Sequence, residues 1–213
     1  MPASDIIAID ILLEPDNRML AQAERNNARL RAVFPAGFAL DAEHRPHITL
    51  LQCFIAAADL EALAAKAGAV IRAAKVTEME LRADRFYYAP GPGAGIAGIC
   101  APATPALHKL QADVIAAATP FMVASAGITA FTADHGNPAF DAALIDYVAG
   151  FVAHHAGDHF NPHVSTGVAP TDYLDQMLAE PFEAFDFAPA GAAIYQLGPY
   201  GTAARPLVHW DVA

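Results

Sequence analysis

Two short stretches of this chain repeat one another: RPHITL at residues 45–50 and NPHVST at residues 161–166. Side chains on an extended backbone alternate between faces. His47 and Thr49 therefore share one side of the first stretch, with Ile48, Leu50 and Phe54 expected on the other. In the second, His163 and Ser165 share a side, opposed by Val164, Thr166 and Val168. Pro46 and Pro162 precede the histidines and favour an extended approach to each strand. A single imidazole beside a hydroxyl is most simply a core histidine bonded to its neighbour. Two copies, one in each half of the chain, instead require a fold that brings equivalent strands together.

The surrounding pattern supports such a repeat. A strand is expected at about 5–13 and a helix at about 15–33, with Pro15 in its first turn. After RPHITLLQCF, Leu60, Leu63, Ala67, Val70 and Ile71 recur at helical spacing over about 58–74. Strands at about 77–88 and 95–101 flank the turn APGPGAG, and a helix follows at about 104–121. The second half gives a helix at about 139–154, the NPHVSTGVAP strand, a short helix near 172–180, and strands at about 192–197 and 206–212. Each half thus reads helix, histidine-bearing strand, helix, hairpin. The expected fold is α+β and bilobal, with two antiparallel sheets facing across a central cleft, helices outside and a pseudo-twofold repeat. Residues 1–213 form one such domain, with exchange of strands between lobes allowed.

Composition narrows the function. Hydrophobic residues make up 55% of the chain and charged residues 16%, enough apolar material for a sizeable core. No apolar run approaches the roughly 20 residues that span a bilayer, and the N-terminal stretch MPASDIIAIDILLEP carries Asp5 and Asp10 and lacks a basic leader region. Cys53 and Cys100 sit in apolar strand contexts and read as reduced core residues, as suits a cytoplasmic, monomeric protein. The net charge is −11, and Arg205 is the lone Lys or Arg after Lys109, set against eleven Asp and Glu from residue 110 onward. Long nucleic acids are held by many cation–phosphate contacts, so a polynucleotide partner is not expected.

Two histidines facing one another have a chemical use. Phosphodiester hydrolysis without a metal needs a base for the attacking water and an acid for the leaving alkoxide. Imidazole serves as either near neutrality. Neighbouring hydroxyls supply hydrogen bonds to the phosphoryl oxygens. In-line displacement puts the entering and leaving oxygens on opposite sides of phosphorus, which suits histidines on opposing strands.

The pair HITL and HVST resembles the two His-hydrophobic-Thr/Ser-hydrophobic tetrapeptides of the two-histidine (2H) phosphoesterase superfamily, which includes RNA 2′,3′-cyclic phosphodiesterases once called 2′-5′ RNA ligases. Thr166 departs from that pattern by being polar at the last position. The resemblance implies a bilobal, cofactor-free enzyme with His47 and His163 as the acid–base pair and Thr49 and Ser165 as phosphate ligands. It implies a small cyclic nucleotide or an oligonucleotide end, carrying a cyclic or 2′-5′ phosphodiester, as substrate. Two other readings compete: a non-catalytic binder of phosphorylated nucleotides, and a zinc hydrolase using the 154–163 region.

That region, HHAGDHFNPH, holds ligand types at His154, His155, Asp158, His159 and His163, but Gly157 interrupts helical spacing between His155 and His159, so a solvated helix end is the simpler reading and no metal is expected. Arg205 follows a glycine-containing turn near Tyr200, on a hairpin expected beside the second lobe's histidine strand; it either binds phosphate or balances Asp186 or Asp211. Tyr87, Tyr88 and Tyr195 lie on the two hairpins, where rings can meet a nucleobase.

Overall fold

The computed structural model describes residues 5–91, 93–133, 136 and 138–210. The first half runs β1 (Ile6–Pro15), α1 (Asn17–Val33), β2 (Ile48–Ala56), α2 (Leu60–Ala74), β3 (Leu81–Ala83), β4 (Arg85–Pro90) and β5 (Ala94–Cys100). The second runs α3 (Pro105–Ala118), β6 (Met122–Val123), α4 (Pro138–Ala149), α5 (Phe151–His155), β7 (His163–Pro170), α6 (Thr171–Leu178), β8 (Phe185–Phe187), β9 (Pro189–Leu197) and β10 (Ala203–Trp210). It opens one helix earlier than expected, because α3 packs on β2 as α1 packs on β7. Local chemistry accounts for several boundaries. Asp16 caps α1, accepting from the Met19 N–H, so Pro15 ends β1 rather than opening the helix as expected. Thr104 caps α3 in the same way, ahead of Pro105. Gly150 separates α4 from α5 within the span expected to be one helix. The strand expected at 77–88 is a 3₁₀ turn followed by β3 and β4. Asp211 and Val212 lie outside the described residues, as do Pro92 of the APGPGAG turn and part of the ADHGNP loop.

The main sheet is antiparallel, in the order β10-β9-β1-β2-β7-β5-β4, with β6 beside β2. It divides between β2 and β7, which share the single pair Ile48↔Val164. On one side stand β10, β9, β1 and β2; on the other, β7, β5 and β4. The two lobes are therefore continuous at one point rather than separate sheets, and their histidine strands are neighbours there.

The halves of the chain are exchanged between these lobes. The first-half hairpin β4–β5 pairs with β7, while the closing hairpin β9–β10 pairs with β1 beside β2. Helices follow suit: α1 packs under β7, and α3 under β2. The short strands β3 and β8 pair across the exchange, Leu81↔Phe187 through Ala83↔Phe185. This corrects the placement of Arg205. It lies exposed on β10, paired with Gln196, with β9, β1 and β2 between it and β7.

The core forms where each lobe meets its helices. Ile9, Ile11 and Leu13 on one face of β1 join Ile48, Leu50, Leu51 and residues of α2 and α3, all nearly inaccessible; each such side chain contributes about 1.5–3 kcal/mol on burial. The opposite face of β1 carries Ala8, Asp10 and Leu12. Ala8 packs with Phe54, Leu144 and Val148, and Leu12 with Ala193, Tyr195 and Ala203. In the other lobe, Leu30 of α1 packs with Ala97, Ala169, Leu174 and Met177.

Candidate active site

A β-bulge shapes each histidine strand, and both fall at the same motif position. Along β1–β2 the register passes from Ile11↔Leu51 to Leu12↔Thr49, leaving Leu50 as the extra residue. Along β5–β7 it passes from Ala97↔Gly167 to Gly98↔Ser165, leaving Thr166 extra. An extra residue shifts the phase of alternation. Thr49 and Gln52, three apart, therefore face the same way, and Phe54 lies on their side rather than with Ile48 and Leu50 as expected.

Each bulge leaves a carbonyl outside the ladder, and each is satisfied by a side-chain amide from the helix beneath. Asn27 Nδ2 of α1 donates to the Thr166 carbonyl at 2.8 Å; Gln111 Nε2 of α3 donates to the Leu50 carbonyl at 3.2 Å. The polar Thr166 has a structural cause, since its hydroxyl accepts from Asn26 Nδ2 at 2.7 Å and donates to the Ala97 carbonyl at 3.3 Å, away from His163. Gly167 completes the bulge at φ +149°, where a Cβ would lie 3.0 Å from Asn27 Nδ2.

The Ile48↔Val164 pair sets the four motif side chains against one another. Continuing that antiparallel register by one residue puts His47 across from Ser165, and Thr49 across from His163. All four are half-buried. Each imidazole is held by the carbonyl two residues back: Nδ1 of His47 at 2.6 Å from the Arg45 oxygen, and Nδ1 of His163 at 2.7 Å from that of Asn161. A carbonyl only accepts, so Nδ1 carries the hydrogen in both rings and Nε2 is the nitrogen left for chemistry. Gly98, opposite Ser165, gives the His163 ring room: a Cβ there would lie 3.3 Å from its Cδ2.

The lobes differ in what lies beside the imidazole. Asp10, fully buried on β1, places Oδ2 3.3 Å from His47 Nε2. The same oxygen accepts from Thr49 Oγ1 at 2.7 Å and from Gln52 Nε2 at 2.9 Å. Counted from the bulges, the counterparts of Asp10 and Gln52 in the other lobe are Ile96 and Val168. Burial disfavours the His47 imidazolium, but the Asp10 carboxylate and the Arg45 carbonyl outweigh it and raise the pKa above the ordinary histidine value. Burial dominates at His163, with the nearby charge of His47 adding to it, and lowers the pKa.

Among the expected substrate contacts, Tyr87 is brought to the site. Its half-buried ring lies 5.1 Å from that of His163. Tyr88, on the other face of β4, donates to Asp175 Oδ1 of α6 at 2.7 Å. Tyr195 pairs directly with Asp10 across β1–β9 but is buried, with its hydroxyl meeting Glu14 at 3.4 Å. Arg205 is remote from β7. Among the described residues no three His, Cys, Asp or Glu side chains are grouped to hold a metal ion, the 154–163 stretch included. No helix among them is long and apolar enough to cross a membrane.

Two residues escaped the sequence reading. Asp10 stood in the open as a lone carboxylate in an apolar strand, the one available signal. Tyr147 of α4, 40% exposed, packs its ring 4.3 Å from that of His155; burial and the charges of Asp10 and Tyr87 raise its pKa, so the phenol stays protonated. Nothing in its helical context marked it.

The model of one family, the 2′-5′ RNA ligase superfamily, matches residues 21–194. No curated protein sequence matches the chain. Among solved structures, TT0787 of Thermus thermophilus aligns with a TM-score of 0.54 at 15% identity, covering 97% of this chain and 98% of its own. LigT of E. coli complexed with ATP aligns at TM-score 0.44 and 14% identity over 97% and 98% of the two chains. Usb1 of Kluyveromyces marxianus with uridine monophosphate aligns at 0.44 and 11% over 96% and 99%.

Proposed function

We propose that this chain, which belongs to the 2′-5′ RNA ligase superfamily, is a metal-independent phosphodiesterase that opens a cyclic or 2′-5′ phosphodiester to a monoester. One observation carries the reading. Two imidazoles on neighbouring strands are each anchored through Nδ1, which leaves both Nε2 atoms for proton transfer at one phosphorus. One histidine takes a proton from water as its oxygen bonds to phosphorus. The other gives a proton to the leaving alkoxide as the P–O bond breaks. Ser165 and Thr49 are the hydroxyls nearest the phosphoryl oxygens, and Tyr87 flanks the His163 side. Tyr88 and Arg205 stand further out and would meet only an extended substrate, while Tyr195 is buried beside Asp10.

A small substrate fits the charge. Of the first-half arginines that could have guided a long strand, Arg82 is engaged with Asp186 at 2.8 Å and Arg85 with Asp84 at 2.8 Å, as is Arg29 with Glu180 at 2.7 Å, while Arg45 is exposed and bonds to Tyr195. The two free, buried cysteines suit the monomeric, cytoplasmic setting we assign to it.

Turnover of 2′,3′-cyclic nucleotides in excess chelator is the test. Undiminished turnover that falls about 10²–10⁴-fold in His47→Ala and in His163→Ala supports the reading. Binding without turnover would make the protein a phosphorylated-nucleotide binder, and chelator-sensitive turnover would point to metal chemistry instead.

A further inference from the structure

We propose that Asp10 is a positioning residue that keeps the Nε2 proton on His47, and that it thereby makes His47 the acid and His163 the base. The inference rests on the phosphodiesterase reading for its reaction, though not for its geometry. Asp10 is inaccessible to solvent, and its Oδ2 is shared among Thr49, Gln52 and His47. A buried carboxylate is stable only when its charge is matched, and the imidazolium of His47 is the cation beside it. The 3.3 Å separation exceeds the about 2.7–2.9 Å of a charge-assisted hydrogen bond. The carboxylate therefore holds the protonated ring by charge and by a long hydrogen bond, weak enough for the Nε2 proton to pass to a leaving oxygen.

The other lobe has no equivalent. Ile96 occupies the position of Asp10, and burial keeps His163 neutral, its Nε2 lone pair ready for water. Groups whose surroundings push their proton affinities apart divide naturally into acid and base. The other titratable groups around the pair reinforce this division: His155, itself lowered by burial, acts on His163 in the same downward sense, and burial pushes the Cys100 thiol opposite His163 up to about 11. Burial pushes the Cys53 thiol of β2 up to about 12. Tyr147 of α4 and Tyr87 of β4 are both shifted upward and stay neutral. Arg45, just ahead of β2, bonds to Tyr195 and acts on that phenol.

A consequence follows for Thr49. Its single hydroxyl proton is committed to Asp10, so its part is to orient the carboxylate, whereas Ser165 is the phosphate ligand. The reaction then has a fixed direction across the cleft, with water entering on the His163 side and the alkoxide leaving on the His47 side.

The test compares wild type with Asp10→Asn, an isosteric change that removes the charge. The pH profile of kcat/KM for a 2′,3′-cyclic nucleotide has an ascending limb from the base and a descending limb from the acid. An opposite charge at this range moves a pKa by roughly 1–3 units. The descending limb of Asp10→Asn should move to lower pH by that amount, and the ascending limb by clearly less, since Asp10 also acts on His163 but by charge alone. NMR titration of the substrate-free protein should show the same fall at His47. A descending limb that stays in place, or movement of the ascending limb instead, overturns the proposal. If wild type turns over no phosphodiester, the titration still decides the role of Asp10 while the phosphodiesterase reading falls. If Asp10→Asn does not fold, wild type decides: His47 titrating below His163 refutes the assignment.

Discussion

Asn27→Leu tests whether the bulge, and with it the geometry of His163 and Ser165, depends on a helix side chain. Asn27 Nδ2 donates to the Thr166 carbonyl at 2.8 Å and to the Phe38 carbonyl at 3.0 Å, and its Oδ1 accepts from the Leu40 N–H at 3.3 Å. Leucine has a similar size and can make none of these bonds. The Thr166 carbonyl is buried, and orphaning it costs about 1–3 kcal/mol. The other two groups are part-buried and recover some hydration, adding roughly 1 kcal/mol together. A loss of about 2–4 kcal/mol in a chain of 213 residues corresponds to a fall in Tm of roughly 4–16 °C. Thermal and denaturant unfolding measure it directly. Turnover should also fall well below the new Tm, because a bulge without its clamp can migrate and turn Ser165 away from the cleft. A Tm within about 1 °C of wild type would refute the reasoning, as the error in such bookkeeping is smaller than the predicted shift.

Gln111→Leu removes the corresponding amide beneath β2, together with bonds to the His155 carbonyl at 3.3 Å and from the Gly157 N–H at 3.2 Å, and should destabilise by a similar amount in denaturant titration. Ser165→Ala should lower kcat by about 10²–10³-fold, as loss of one transition-state donor does, whereas Thr49→Val should act mainly by shifting the acid limb of the pH profile; equal and pH-independent losses would contradict the division of roles. The raised proton affinity of His47 adds stability that is fully present below the unfolded value of about 6.5 and is lost as pH rises through the folded value. Asp10→Asn should therefore lower the denaturation midpoint more at about pH 5.5 than at about pH 9. Activity on a cyclic mononucleotide should exceed that on an RNA of about twenty nucleotides ending in a cyclic phosphate, with weak salt dependence; a preference for the RNA that salt abolishes would sink the small-substrate reading.

What the sequence determined by itself is local and repetitive. Alternation around His47 and His163, the prolines before them and the helical spacing of Leu60 through Ile71 are properties of neighbouring residues, so they were legible without a structure. The paired motifs told which strands must meet, because no single lobe contains both. What only the tertiary structure decided depends on contacts between residues far apart in the chain. The exchange of hairpins is a choice of partner among similar strands, and it moved Arg205 away from β7. The bulges at Leu50 and Thr166 are invisible in a period-two pattern, since an extra residue changes phase only against a partner strand; this is why strict alternation puts Phe54 on the wrong face. Thr166 looked like a departure from its motif until Asn26 and Asn27 of α1 came to lie beneath it. Asp10 was conspicuous as a charge among isoleucines, yet its meaning required β2 alongside. A carboxylate gains its effect from the group a few ångströms away, and here that group lies 37 positions along the chain at His47.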